Sequence, residues 1–425
     1  MSKNETTTAN MTLPWSDGSK GNDADQLSLV ICWSIDEPER VGESAVIDGK
    51  CILGRGESSP ADATPRMMFY RRRLRGTIPA LPLAASRVSR VQLELTPIEG
   101  ENRLHVRRVG RCEMLVAGDV VEEALLEPGD TIVLRHAMVL LVTKTKTFRR
   151  EPSSPSTPLS FPFGKPDPNG ILGESEAIWA LRDMLEMAAG TDQHVLLLGQ
   201  SGTGKELAAR AIHALSNRSH GAFVARNAST LPEGLVDAEL FGTAKGYPHA
   251  GSPERVGLIG EADGGTLFLD EIGELPGPLQ AHLLRVLDRG GEFQRLGESR
   301  LRHAHLRVVA ATNRPVEHLK HDFAARFAFR IELPGLEYRR QDIPLLMLQL
   351  LQRAAQMLVG GDTAGKDQGA AGRPRGRDGA HGAHGPVGQH VEGAHSVGER
   401  GAAQVGAGAA AGVIFRGTTL AVVHA

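Results

Sequence analysis

Cysteine is scarce: Cys32, Cys51 and Cys112 are the only three in 425 residues, and no Cys-x-x-Cys spacing occurs. That excludes a disulfide framework and suits a reducing compartment. An excess of one charge is also missing. The formal net charge is −2, which removes any global electrostatic case for nucleic-acid binding. No apolar run approaches the length needed to cross a bilayer. Residues 1–25 are polar and lack the apolar core of a signal peptide. A soluble cytoplasmic protein is expected, long enough for two or three domains that each bury their own core.

What is present centres on Gly199-Gln200-Ser201-Gly202-Thr203-Gly204-Lys205. The run follows His194-Val195-Leu196-Leu197-Leu198, short and apolar enough to be a buried parallel strand. It leads into a segment whose Leu207, Ala208, Ala211, Ile212 and Leu215 mark one helical face. Strand, glycine-rich turn and helix together form the context of a phosphate-binding loop. Glycines let backbone N–H groups converge on phosphate oxygens, and the helix N-terminus adds partial positive charge. Lys205 is placed to reach the β- and γ-phosphates of a nucleotide. Glu206 stands where most such loops carry a Ser or Thr for Mg²⁺, so the metal must lean on other oxygens.

Gly264-Gly265-Thr266-Leu267-Phe268-Leu269-Asp270-Glu271 supplies them: an apolar strand ending in adjacent carboxylates. Asp270 suits Mg²⁺, directly or through water, and Glu271 is placed to polarise the water that attacks the γ-phosphate. Acidic pairs also serve as caps and solvated turns; the phosphate loop upstream favours the catalytic reading. A third strand, Leu306 to Asn313, ends in small polar residues. Thr312 and Asn313 are candidates to hydrogen-bond the γ-phosphate or the water, although a turn-forming Asn alone would explain the pattern.

With these motifs in place, residues 171–358 resemble the AAA+ ATPase domain of bacterial enhancer-binding proteins, the activators of sigma-54 RNA polymerase. The pieces are Gly202-Thr203-Gly204-Lys205-Glu206, Glu239-Leu240-Phe241-Gly242, Gly264 through Leu275, Ala310 through Arg314, Leu333-Pro334 and Asp342-Ile343-Pro344-Leu345-Leu346. The resemblance implies an α/β P-loop fold, ATP and Mg²⁺ as cofactors, and self-association into a ring, hexameric by analogy. It places the opening segment around Ile171 and Gly173 beside the adenine. Asn227 would restrain the catalytic glutamate and Arg326 would act as an arginine finger. A second family arginine is replaced here by Lys320, which keeps the charge without the planar fork. The family's sigma-54-contacting loop reads Gly-Ala-Phe-Thr-Gly-Ala; this chain has Gly246-Tyr247-Pro248-His249-Ala250-Gly251. Proline fixes φ and removes a donor, so weak or altered coupling to sigma-54 polymerase is expected; the alternative is that Tyr247 does the aromatic's work one residue earlier.

Residues 26–146 carry short β-rich runs separated by Asp48-Gly49, Glu99-Gly100 and Pro128-Gly129-Asp130, with no long helical pattern. The spacing predicts an all-β sandwich. Gly54-Arg55-Gly56 and Ser89-Arg90 resemble the phosphothreonine-clasping elements of a forkhead-associated (FHA) domain, implying a phosphothreonine peptide or protein as partner held by Arg55, Ser89 and Arg90. Gln92 replaces that family's usual histidine, and a plain sandwich with solvated arginines remains the alternative.

Residues 147–170 are rich in Pro and Ser and predict an extended spacer. From 359 to 425 the chain is dominated by Gly, Ala, His and Arg, and disorder is expected. His381, His384, His390, His395 and His424 fit no standard metal spacing. Neither a helical lid nor a helix-turn-helix is recognisable there, and an out-of-frame translation would account for the abrupt change. The expected function is an ATP-hydrolysing transcription regulator under phosphopeptide control; the alternative is an ATP-binding interaction protein with lost or altered sigma-54 coupling.

Overall fold

The computed structural model describes residues 25–57, 63–73, 76–98, 100–146, 161–231, 234–288, 290–361, 412–416 and 419–423. The serines and Thr157 of the spacer, the residues before 25 and the tail histidines lie outside them.

The first region is the expected β-sandwich. Its strands are β1 (Asp25–Ser34), β2 (Ser44–Val46), β3 (Cys51–Leu53), β4 (Tyr70–Arg73), β5 (Gly76–Pro79), β6 (Leu93–Pro97) and β7 (Leu104–Arg108). They continue with β8 (Met114–Val116), β9 (Asp119–Val121), β10 (Glu123–Leu126), β11 (Thr131–Leu134) and β12 (Met138–Lys146). One sheet runs β5-β4-β2-β1-β12-β11-β8-β9 and the other β10-β7-β6-β3. Alternating residues such as Leu27, Leu29 and Ile31 on β1, and Leu93 and Leu95 on β6, fill one core between them. The short strands and the arginine-rich β4–β5 hairpin carry too little apolar alternation to read as strands in advance.

The second region is a parallel sheet wrapped by helices. It orders β14 (Phe223–Asn227), β15 (Thr266–Asp270), β18 (Arg307–Thr312), β13 (Val195–Leu198) and β19 (Phe329–Glu332), all parallel. Both faces are covered, which is why the central strands β13, β15 and β18 carry near-continuous apolar runs, whereas the edge strands β14 and β19 include Arg226, Asn227, Arg330 and Glu332. Leu196, Leu267, Leu269, Val308 and Ala310 point into one core. Val195, Leu197, Phe268, Val309 and Ala311 point into the other. Helices α1 (Glu176–Ala189) and α2 (Lys205–Ala214) cover the second face. The first is covered by α3 (Val236–Phe241), α4 (Leu258–Glu261), α5 (Gly277–Leu287) and α6 (His321–Ala324). A small ribbon, β16 (Glu292–Phe293) with β17 (Arg302–His303), follows α5, and α7 (Ile343–Gly361) ends the region.

Two expectations are corrected. Residues 161–170 are not an extended spacer: Phe161 stacks on Trp179 with centroids 5.7 Å apart, and Asp167 is buried against Arg182 at 2.9 Å. Two aromatics and a buried ion pair outweigh the Pro/Ser composition. Within 359–425, α7 reaches Gly361, and β20 (Gly412–Arg416) pairs antiparallel with β21 (Thr419–Val423). Val413-Ile414-Phe415 and Leu420-Ala421-Val422 are β-forming runs.

Candidate nucleotide site and its companion surfaces

The glycine-rich turn leaves the carboxyl end of β13, where ligands bind in open α/β sheets. Gly202 and Gly204 adopt φ of 81° and 98°, values that a side chain would strain. Gly204 is the N-cap of α2 and offers no side-chain cap, so the first-turn N–H groups lack intrahelical acceptors. Those donors and the helix dipole fit an anion. Lys205 is buried, and its Nζ donates to the carbonyls of Gly199 (3.1 Å) and Gln200 (3.2 Å). Thr203 Oγ1 donates to Gln200 O at 2.9 Å. The lysine is thus curled over its own loop, while Ser201 is exposed at the tip. Glu206 faces outward and pairs with Arg210 at 2.7 Å.

The acidic pair ends β15, two strands from the loop in the sheet. Glu271 has φ 52° and ψ 44°, a left-handed conformation uncommon for a non-glycine residue and enriched at functional sites. Its N–H donates to Asp270 Oδ1 at 2.9 Å. Asn227 lies directly across from Asp270 in the strand register. Its Oδ1 accepts from Ser229 N (2.9 Å) and Ser229 Oγ (2.7 Å), so the carboxamide oxygen caps the next turn.

Thr312 closes the group from β18: its carbonyl accepts from Gly199 N at 3.3 Å and its Oγ1 from Arg314 N at 3.0 Å. Asn313 is exposed beside it. The sheet therefore brings Gly199, Asp270, Glu271 and Thr312 to one edge. Lys320 and Arg326 stand on the exposed α6 side, where Arg326 Nε pairs with Asp288 at 3.0 Å.

Ile171 and Gly173 are held by residues whose role the motifs did not announce. Arg182 is buried and donates to Gly173 O (3.0 Å) and Ile171 O (2.8 Å). Asp342 accepts from Glu174 N (2.7 Å), Ser175 N (2.8 Å) and Ser175 Oγ (2.5 Å). Burial pushes the Asp342 carboxyl above its ordinary range, against those hydrogen bonds and Arg339. Arg182 follows Ile178 by four residues on the apolar face of α1, a spacing that placed it inside.

In the sandwich, Arg55, Ser89 and Arg90 do meet. Arg55 N donates to Ser89 O at 3.0 Å. Arg66 ties them further, donating through Nη1 to Arg55 O (3.2 Å) and to Arg90 O. Gln92 is buried; its Oε1 accepts from Ser89 N (3.2 Å) and Cys112 N (3.4 Å) while Nε2 donates to Cys112 O (2.8 Å). It joins the two loops of the cluster.

The segment 246–249 forms a surface turn, with Gly246 N donating to Ser252 O at 2.9 Å. Tyr247 lies on Gly297: a Cβ there would come within 2.7 Å of its ring. Pro248 and His249 are exposed.

Part of the chain is similar to known proteins. Residues 171–336 match the family model described as the Sigma-54 interaction domain. The chain is similar to the formate hydrogenlyase transcriptional activator FhlA of Escherichia coli, 42% identical over 195 residues, covering 44% of this chain and 28% of that protein. It is similar also to the nitric oxide reductase transcription regulator NorR2 of Cupriavidus necator, 47% identical over 189 residues, 43% of this chain and 36% of that one. Among solved structures, NtrX from Brucella abortus in complex with ATP is 34% identical, covering 44% of this chain and 42% of that chain with a TM-score of 0.41. The chain thus spans only about a quarter to a third of the length of the first curated relatives it matches. Among the described residues no helix is long and apolar enough to cross a membrane. Residues 171–336 are a sigma-54 interaction domain, built on the AAA+ P-loop NTPase fold.

Proposed function

We propose that this chain is a cytoplasmic, ATP-hydrolysing regulator of transcription by sigma-54 RNA polymerase, controlled by a phosphothreonine-recognising sandwich. The observation that carries the reading is the convergence of the glycine-rich turn, the acidic pair and Thr312 on one sheet edge, within the segment that matches the sigma-54 interaction domain. Backbone donors from Gly199 to Glu206, with Lys205, hold the β- and γ-phosphates. Asp270 is the residue to carry Mg²⁺, which supplies charge neutralisation at the phosphates. Glu271 takes the proton from the attacking water, and Thr312 and Asn313 orient that water or the γ-phosphate. Asn227, one strand away, restrains Glu271 by swinging its carboxamide from the 228–230 turn. Arg326, and with it Lys320, serves the nucleotide of a neighbour in a ring, which requires release from Asp288. In the sandwich, Arg55, Ser89 and Arg90 bind the phosphate dianion. Specific ATPase activity measured against protein concentration, with and without phosphothreonine peptide, tests the reading. Activity should rise with concentration; a flat profile contradicts action in trans.

A second reading is favoured by one observation, the Tyr247-Pro248-His249 sequence of the surface turn. In it the chain binds ATP and a phosphorylated partner, with sigma-54 coupling lost or changed. Open-complex formation on a sigma-54 promoter, comparing the native turn with Gly-Ala-Phe-Thr-Gly-Ala, separates the two. Full activity from the native turn removes the second.

A further inference from the structure

The sandwich and the P-loop domain meet at the segment that borders the nucleotide site. On β4, Arg72 Nη2 pairs with Glu176 Oε1 at 2.5 Å and Arg73 Nη1 with Glu174 Oε1 at 3.3 Å. All four side chains are at least three-quarters buried or close to it, at 25%, 16%, 26% and 3% exposure, so solvent screens the pairs only partly. The Arg71 and Arg73 guanidinium groups lie 5.1 and 5.3 Å from the ring centroid of Phe163. Glu174 is the hub: Oε1 also accepts from Gly164 N (2.8 Å), Oε2 from Trp179 Nε1 (3.2 Å), and its own N–H reaches Asp342. A second, apolar patch adjoins it, where Val41 of the sandwich clusters with Leu172 and Leu345, and Gly164 lies against both patches.

Ile171 and Gly173 flank Leu172 of this second patch. Gly170, just before them, sits beside Leu207 in the first turn of α2: a Cβ built there would lie 3.5 Å from the Leu207 side chain. On the nucleotide-site reading above, this segment is a wall of the site, held from the P-loop domain by Arg182 and Asp342 and from the sandwich by Arg72, Arg73 and Val41. Loss of the sandwich anchors would free the wall to sample other positions, and only a fraction of molecules would then bind at full affinity.

We propose that Arg72 and Arg73 are positioning residues for the nucleotide, through which the sandwich sets ATP affinity; this rests on the nucleotide-site reading above. They act on Glu174 and Glu176 and touch no phosphate, so their loss changes binding more than the chemical step. By linkage, nucleotide binding tightens the same contact.

The test uses the full chain and a fluorescent ATP analogue. Arg72→Glu and Glu176→Arg should each raise the Kd about fivefold, the scale of one partly screened ion pair acting on one segment. KM for ATP should follow while kcat per active assembly holds. The Arg72→Glu/Glu176→Arg exchange should return Kd to within about twofold of the native value. Arg72→Met keeps the packing of the stem and removes only the charge, and should weaken binding in the same direction with an unchanged thermal transition. An unchanged Kd in all the single variants overturns the proposal, as does a loss that the exchange fails to recover. If the native chain does not bind the analogue, the nucleotide-site reading itself falls, a result distinct from either of these.

Discussion

His194 stands one residue before β13, the strand that delivers the phosphate-binding turn, and the structure gives it a definite acid lability. Its Nδ1 accepts from Val308 N at 2.9 Å, which fixes the remaining proton on Nε2, facing Leu287 O at 3.2 Å. Both ring nitrogens are thus satisfied in the neutral form. Protonation would place a second N–H against the N–H of Val308, inside a packed layer and near Arg307 and Arg218. Burial, with those two cations, pushes its pKa down to about 4 from 6.5.

The sign follows directly. A histidine whose folded pKa is depressed contributes stability above pH 6.5, and that contribution drains away as pH falls towards 4, because the unfolded chain takes up the proton first. The slope in that window approaches about 1.4 kcal/mol per pH unit, for a total of about 3 kcal/mol. His194→Gln offers an acceptor to Val308 and a donor to Leu287 without titrating. At pH 7.5 it should cost no more than about 1 kcal/mol. By pH 5.5 the native-minus-variant difference should have fallen by roughly 1.4 kcal/mol, which makes the variant the more stable of the two. The measurement is the urea midpoint of the P-loop domain's transition for both chains at pH 7.5, 6.5, 5.5 and 4.5. A native-minus-variant difference that stays constant over this range refutes the assignment of acid lability to His194.

Three further outcomes are expected. Lys205→Ala should weaken ATP binding by at least about tenfold, whereas Glu271→Gln should bind ATP normally and turn it over some 10²- to 10⁴-fold more slowly; normal turnover by the latter would show the acidic pair misassigned. Arg326→Ala should lower turnover by up to about 10³-fold in concentrated protein, while Asp288→Asn, which removes the carboxylate now holding Arg326, should not; equal losses in both would mean that the pair is structural. Isothermal titration with a phosphothreonine peptide should show binding lost in Arg90→Ala and weakened in Arg66→Ala, because Arg66 holds the carbonyls of Arg55 and Arg90 together; equal affinity for the unphosphorylated peptide would leave only the sandwich fold.

How much of this was legible in the sequence depended on how local each cause was. The turn from Gly199 to Lys205, the strand before it and the helix after it are specified by neighbouring residues, and the structure places them where the pattern does. The same holds for β15 and its carboxylates, whose buried strand needs an uninterrupted apolar run. What the sequence concealed was settled by distant partners. Nothing near Arg72 or Arg73 announces that their carboxylates lie a hundred residues on, and Phe161 and Phe163 read as spacer until Trp179 and the β4 arginines are placed against them. Gln92 read as a departure from a family pattern, yet it joins the Ser89 and Cys112 loops with an amide that can both accept and donate, as a neutral histidine could.

The surface turn at 246–249 shows the same principle with a mechanical consequence. Thr243 and Arg255 exchange backbone hydrogen bonds at 3.0 Å, Ala244 N donates to Leu296 O at 2.9 Å, and the buried Arg295 pairs with Glu254. Both legs of the turn are therefore tied to the stretch 295–297. Tyr247, the one aromatic of this turn, lies with its Cβ and one side of its ring against Gly297. An aromatic committed to its own fold can reach a partner only by first giving up that contact. The outermost residues are Pro248, which fixes φ and donates nothing, and His249. If the chain turns over ATP as proposed, a movement in the layer carrying α3 and α5 would reach this tip through two braced legs, as displacement of a stiff turn. Under the proposed function, coupling to a partner then depends on whether that partner accepts the proline and imidazole at the tip, a question of surface chemistry separate from that of the nucleotide site.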